Sequence, residues 1–252
     1  MFSSWKRLFR AFGVAASSPQ MAKPRVDVES TELLAQVAHE ARQPLSAARY
    51  AFQIIRSRPD EDQRERAFAV LDVQLMRLAR LFDDLLDASR LRLGRTNLHI
   101  ERLDLRGVVE EVAEAVRPQV AEKHQRFDTH LPEDPVWVEA DSARLQQVVS
   151  NLLVNGVRYT DPGGRLWLDV AKGPTDAVLT VGDTRRGIPA NLLPHVFEPY
   201  RTGDVSSEHG LGVGLAIALQ LVTLHGGTVR ASSAGPGSGS EFVVTLPTCR
   251  VG

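Results

Sequence analysis

The stretch LAQVAHEARQPLSAARYAFQII, residues 34–55, decides how the first half of the chain folds. Its apolar positions Leu34, Ala38, Ala41, Leu45, Ala48, Phe52 and Ile55 recur in alternating steps of four and three, the period of a coiled-coil seam. The spacing predicts one long helix that needs a partner. Arg58-Pro59-Asp60 ends it, because proline cannot continue a helix and disfavours helical backbone in the residue before it. A second stripe, Phe68, Leu71, Leu75, Leu78, Phe82 and Leu85, predicts a second helix and so a helical hairpin. One hairpin cannot enclose both seams, whereas two copies form a four-helix bundle, so a homodimer is expected.

Beyond Leu93-Gly94-Arg95 the pattern changes to mixed elements. A helix is expected near 105–122, with strands at Gln125–Leu131 and Val136–Ala140. Asp141 can cap a helix over 142–159, and Asp161-Pro162-Gly163-Gly164 then turns the chain into a strand at Arg165–Ala171. A strand at Ala177–Gly182, a glycine-crowded segment over 203–214, a helix to His225 and strands at Thr228–Ser232 and Glu241–Leu246 complete the pattern. The class is α+β: a hairpin of a dimeric four-helix bundle, then helices layered on a mixed sheet in an α/β sandwich.

Four places carry chemistry. His39 follows the seam position Ala38 and so points into water, with Glu40 beside it as a base that would free one ring nitrogen to attack phosphorus. Pro44, inside the same stripe, is expected to kink the helix just past the histidine. Asn151, Asn155 and Arg158 share one face of the 142–159 helix. Asparagine is a poor helix former, so the pair is either an amide-oxygen ligand set for Mg²⁺ or a plain polar face. Asp183 follows the apolar run Val178–Val181 and precedes Gly187-Ile188, while Gly210, Gly212 and Gly214 lead through Leu215 into a helix. Glycine-rich backbone at a helix start lets amide groups approach phosphates, though one such run is equally a tight turn. Phe197-Glu198-Pro199-Tyr200 lies between the two glycine segments, where a flap could hinge.

Composition excludes several alternatives. Thirty basic and thirty-one acidic side chains leave no field that would draw nucleic acid. Cys249 is the only cysteine, so no internal disulfide or cysteine metal cluster forms, which fits a reducing cytoplasm. Residues 1–25 contain Lys6, Arg7, Arg10, Lys23 and Arg25 with no acid, and Phe2, Trp5, Leu8, Phe9 and Phe12 at helical spacing. They read either as a tail or as a peripheral contact with the inner membrane face, and the cations within the apolar set argue against a signal peptide.

Taken in order, the segments resemble the sensor histidine kinases. The phosphoacceptor box is similar to Val37–Leu45, the asparagine box to Asn151–Thr160, the first glycine box to Asp183–Gly187, the phenylalanine box to Phe197–Tyr200 and the second glycine box to Gly210–Leu215. The resemblance covers roughly residues 30–247 and implies a basic segment over 1–26, a dimerisation and phosphotransfer hairpin over 27–94, and a Bergerat-type ATP-binding domain over 95–248. It further implies that His39 receives phosphate from ATP with Glu40 as base and passes it to an aspartate on the receiver domain of a response regulator. Asn151 and Asn155 would engage Mg²⁺, Arg158 and Tyr159 the nucleotide, Asp183 the adenine amino group, and Gly210, Gly212 and Gly214 the phosphate side of a lid. Nothing before residue 27 is large enough to be a sensor and no receiver follows Leu246, so a separate sensor protein and regulator are expected.

Two departures set further expectations. Arg185 stands where the family has the first glycine of its D-x-G-x-G box, which weakens adenine fit, and Gln43 replaces the usual threonine or asparagine of a regulator phosphatase. The alternative reading is therefore a catalytically weak dimeric adaptor or phosphatase. A Bergerat ATPase that hydrolyses ATP is disfavoured, since it needs a glutamate where Asn151 stands.

Overall fold

The computed structural model describes residues 28–57, 59–92, 97–184, 186–199 and 212–249. Residues 1–25, Arg185, Tyr200 and Gly210 lie outside the described residues. Contacts group the chain into residues 1–35 and residues 36–252; of the first unit only the opening turns of a helix are described, and all contacts below belong to the second.

Two long helices come first, α1 (Val28–Arg56) and α2 (Glu61–Arg92). The helix α1 runs through Pro44 without a break. Asp60 starts α2 by accepting the Gln63 N–H at 2.8 Å, and Glu61 and Asp62 place negative charge in its first turn, where the helix dipole favours it. The predicted seam divides: Ala48 turns inward together with residues beside the seam, while larger members such as Leu45 and Phe52 face out. Pro44, Ala48, Ala51 and Ala67 are buried within the chain, small enough for close helix approach. Leu45, Phe52, Phe68, Leu75 and Phe82 each remain 51–55% exposed. These five repeat every seven residues along each helix, so they make one apolar face that the single chain leaves uncovered.

The remaining elements are β1 (Glu101–Asp104), α3 (Leu105–Glu122), β2 (Arg126–His130), β3 (Trp137–Ala140), α4 (Ser142–Tyr159), β4 (Arg165–Lys172), β5 (Asp176–Asp183), α5 (Gly214–Leu224), β6 (Thr228–Ser232) and β7 (Ser240–Pro247). A five-stranded sheet has the order β2-β4-β5-β7-β6, with β2 parallel to β4 and the other pairs antiparallel. The short β1, which the sequence reading did not anticipate, pairs with β3 in a separate two-stranded sheet.

Alternation fixes which face of the large sheet is covered. Leu166, Leu168 and Val170 on β4, Ala177, Leu179 and Val181 on β5, and Phe242, Val244 and Leu246 on β7 are buried. They share one core with Val109 of α3, Leu145, Leu152 and Leu153 of α4, and Ile217 and Leu221 of α5. Each fully buried leucine contributes about 1.5–3 kcal/mol, so these side chains hold the helix layer on the sheet. Leu81 of α2 joins the same core, with Leu85, Val37 and Ala41 packed against it, where α2 meets α5.

Polar caps then fix the helix ends. Asp104 caps α3, accepting the Arg106 N–H at 3.2 Å, and its carboxylate also takes the Val136 N–H at 3.1 Å. Asp141 caps α4 as expected, accepting the Arg144 N–H at 3.1 Å. At the other end of α4, Lys123 Nζ donates to the Val157 and Arg158 carbonyls at 2.9 and 3.2 Å, and the Gln125 amide donates to Val157 at 3.0 Å. These bonds use carbonyls that a helix end leaves unpaired, and they hold the turn carrying Arg158 and Tyr159.

Candidate active site

Asp183 ends β5 and is 4% exposed. Its Oδ2 accepts a hydrogen bond from the Ser240 hydroxyl, across the β5–β7 pairing that sets Asp183 opposite Ser240. Its Oδ1 is buried with no hydrogen-bond partner among the described residues. Burial pushes the Asp183 carboxyl above its ordinary value, against the pull of the Ser240 side-chain and backbone hydrogen bonds. An ionisable group kept dry with one oxygen unused marks a place built to receive a donor.

The chain around Asp183 is shaped by close backbone approach. Gly187 has φ of +62°, and a Cβ there would run into the Gly235 carbonyl, so both dihedral and space call for glycine. The segment after Gly187 is tied to the β6–β7 connection. Ile188 N–H donates to Ser233 Oγ at 2.9 Å, the Ser233 hydroxyl donates to the Gly239 carbonyl at 2.6 Å, and Gly237 N–H donates to the Arg186 carbonyl at 2.9 Å. Ser233 and Ser240 were not among the residues singled out from sequence. Their role rests on pairing with residues 45 and 57 positions away, which no local pattern reports.

A second group lies where α4 meets α5. The Asn151 amide nitrogen donates to the Gly214 carbonyl at 3.0 Å, which leaves the amide oxygen as the acceptor of this side chain. Gly212, with φ of +65°, and Gly214 form the entry to α5, and Leu215 is half-buried against the core. Asn155, one turn after Asn151, is partly exposed on the same helix, as are Arg158 and Tyr159. Phe197 meets the core ring Phe242 edge to face at 6.3 Å, so the described segment 186–199 is anchored to the sheet through this ring.

ATP and Mg²⁺ fit these residues on observations of the structure itself. The unpartnered Asp183 Oδ1 suits an amino group. The Asn151 oxygen suits a cation that takes most of its ligands from phosphate and water, and among the described residues no cluster of histidine, cysteine or carboxylate side chains could hold a metal alone.

His39 sits on α1, exposed, with Glu40 half-exposed beside it. Val37 and Ala41, on either side, are the residues that turn toward the core. His39 is therefore on the exposed side of α1, away from the core. Among the described residues no helix is long and apolar enough to cross a membrane.

Family models match two regions of the chain: "His Kinase A (phospho-acceptor) domain" over residues 29–94 and "Histidine kinase-, DNA gyrase B-, and HSP90-like ATPase" over residues 140–250. The chain is 36% identical, over 97% of its length, to the probable sensor histidine kinase TcrY of Mycobacterium tuberculosis, of which it covers 50%. It is 32% identical, over 87% of its length, to the adaptive-response sensory kinase SasA of Microcystis aeruginosa, of which it covers 59%. Among solved structures, a mycobacterial sensor histidine kinase, MprB, is 31% identical with a TM-score of 0.53, covering 59% of this chain and 97% of that one. The chain belongs to the sensor histidine kinases. It spans only 59% and 50% of the length of these two curated relatives.

Proposed function

We propose that this chain phosphorylates itself on His39 from ATP and passes the phosphoryl group to an aspartate of a separate response regulator. The observation that carries the proposal is the presence in one chain of an exposed histidine on a helical hairpin and a buried carboxylate with one oxygen unpartnered. Membership of the sensor histidine kinases supports it further.

Each residue then has a task. Asp183 Oδ1 accepts from the adenine amino group while Ser240 holds Oδ2, and Gly187 keeps the backbone clear of the base. Asn151 and Asn155 offer amide oxygens to Mg²⁺, which when bound neutralises phosphate charge. Arg158 and Tyr159 flank the nucleotide, and Gly210, Gly212, Gly214 and Leu215 shape the phosphate side of the lid. At His39 one ring nitrogen forms the N–P bond as the bond from the γ-phosphorus to the ADP oxygen breaks. The proton on the other nitrogen passes to the Glu40 carboxylate, leaving a neutral phosphorylated ring. In the second step the regulator's carboxylate attacks phosphorus and the N–P bond breaks.

The five exposed apolar residues of the hairpin, Leu45, Phe52, Phe68, Leu75 and Phe82, form the face on which a second copy closes a four-helix bundle. The junction with the ATP-binding domain falls near residue 95. Residues 1–25 are assigned to the inner membrane face. Full-length protein should then sediment with anionic vesicles in a salt-sensitive way, and equal sedimentation of a chain lacking them rejects this.

Incubation with γ-labelled ATP tests the kinase reading. Label that is acid-labile, base-stable and absent from His39→Ala supports it, whereas an unlabelled but well-folded, dimeric wild type favours the adaptor.

A further inference from the structure

His225 closes α5 as a buried residue whose imidazole is engaged on both sides. Its Nδ1 lies 2.7 Å from the Leu221 carbonyl of its own helix. A carbonyl only accepts, so Nδ1 carries the proton. Its Nε2 lies 3.0 Å from the Asp141 N–H, which only donates, so Nε2 is the acceptor. The two contacts fix one tautomer.

Asp141 is itself a node. One carboxylate oxygen caps α4 through the Arg144 N–H, and the other accepts the His99 N–H at 2.9 Å. His99 belongs to the segment 97–100, which leads from the hairpin into β1. A continuous run of hydrogen bonds therefore joins that connecting segment to the N-terminus of α4 and the C-terminus of α5.

Further along, the middle of α4 meets the N-terminus of α5 at the nucleotide-side residues, where Asn151 donates to the Gly214 carbonyl at 3.0 Å. Asp141 and Asn151 span nearly the same length of α4 as Gly214 and His225 span of α5, at about 1.5 Å per residue. The antiparallel pair is thus tied by two polar bonds, at the two ends of α5 and at the start and middle of α4, and between them the contact is apolar, through Leu145, Leu152, Ile217 and Leu221. Apolar packing alone tolerates sliding of one helix on another, whereas directional bonds at two separated points fix the register.

We propose that His225 is a positioning residue for the kinase reaction: it fixes α5 against α4 and, through Asp141, couples the 97–100 connection to the Asn151–Gly214 end that faces ATP. The inference rests on the ATP-site reading above. It gives the hairpin a route to the nucleotide site that does not pass through the lid.

The test uses the full chain, with Mg·ATP affinity from calorimetry and the autophosphorylation rate at limiting and saturating ATP. His225→Asn keeps a donor near Nδ1 but has no atom at the Nε2 position, whereas His225→Gln carries an amide oxygen out to it. His99→Pro deletes the N–H that reaches Asp141. The expected result is a dissociation constant raised about fivefold or more in His225→Asn, a typical coupling scale, with the saturated rate little changed. His225→Gln should return within about twofold of wild type. His99→Pro should weaken ATP binding in the wild-type background and add nothing to His225→Asn. A folded His225→Asn with wild-type ATP affinity, a glutamine variant no better than asparagine, or additive effects of positions 99 and 225 each overturns the proposal. If His225→Asn does not fold, His99→Pro with unaltered ATP affinity does so. No ATP binding by wild type would instead remove the site reading beneath it.

Discussion

Replacing Asp183 with asparagine should move stability and binding in opposite directions. The carboxyl is 4% exposed, has one oxygen without a partner, and is held above its ordinary value of 3.8 mainly by burial. Its charged form is therefore disfavoured in the folded, nucleotide-free protein, and this group costs stability as pH rises from 3.8 through the higher folded value. Asparagine removes the charge and can still accept from Ser240. The gain at neutral pH should be about 1 kcal/mol, at the low end for an unsatisfied buried group because the amide nitrogen inherits the vacant side. That corresponds to a melting point higher by about 2–4 °C. The advantage should shrink as pH falls toward 3.8, since the raised folded value keeps the wild-type carboxyl more protonated than ionised there. Binding should fall. A hydrogen bond to a charged group contributes about 1.5–3 kcal/mol, so ATP affinity should drop by about 10- to 150-fold. Thermal melts without nucleotide and calorimetry with Mg·ATP measure both arms. An asparagine variant that melts lower at neutral pH, or binds ATP as wild type does, refutes the assignment of Asp183 as a strained acceptor waiting for adenine.

Other substitutions probe separate parts of the account. Glu40→Gln should slow autophosphorylation about 100-fold at saturating ATP with dimer and nucleotide binding intact, and an unchanged rate would leave Glu40 as surface only. Phe52→Glu should convert the dimer to monomer in light scattering while the ATP-binding domain stays folded; a persistent dimer places the interface elsewhere. Asp104→Ala should cost about 1–2 kcal/mol at neutral pH through the lost α3 cap. The Arg106 guanidinium holds the Asp104 carboxyl below its ordinary 3.8, so this difference should persist above that pH and shrink on acidification, and a pH-independent difference would contradict the pairing.

The helices and most strands were readable because their apolar spacing is local. Leu145, Val148, Val149, Leu152 and Leu153 mark the buried face of α4, and Asp141 marks its start. Three features were not readable. The β1 segment Glu101-Arg102-Leu103-Asp104 is short and mostly polar, and only its pairing with β3 makes it a strand. The seam of α1 does not serve one partner: Ala41 and Ala48 turn inward while Leu45 and Phe52 face out, a division that depends on where α2 lies. Ser240 and His225 act through Asp183 and Asp141, residues 57 and 84 positions away, and a single serine or histidine carries no signal of such a contact.

The most direct measurement is tandem mass spectrometry, under alkaline conditions, of the chain after incubation with Mg·ATP. One phosphoryl group per chain is expected, located on the peptide that contains His39, absent from His39→Ala and reduced in Asp183→Asn at limiting ATP. Phosphate on any other residue, or an unmodified His39 in protein that binds ATP, would contradict it.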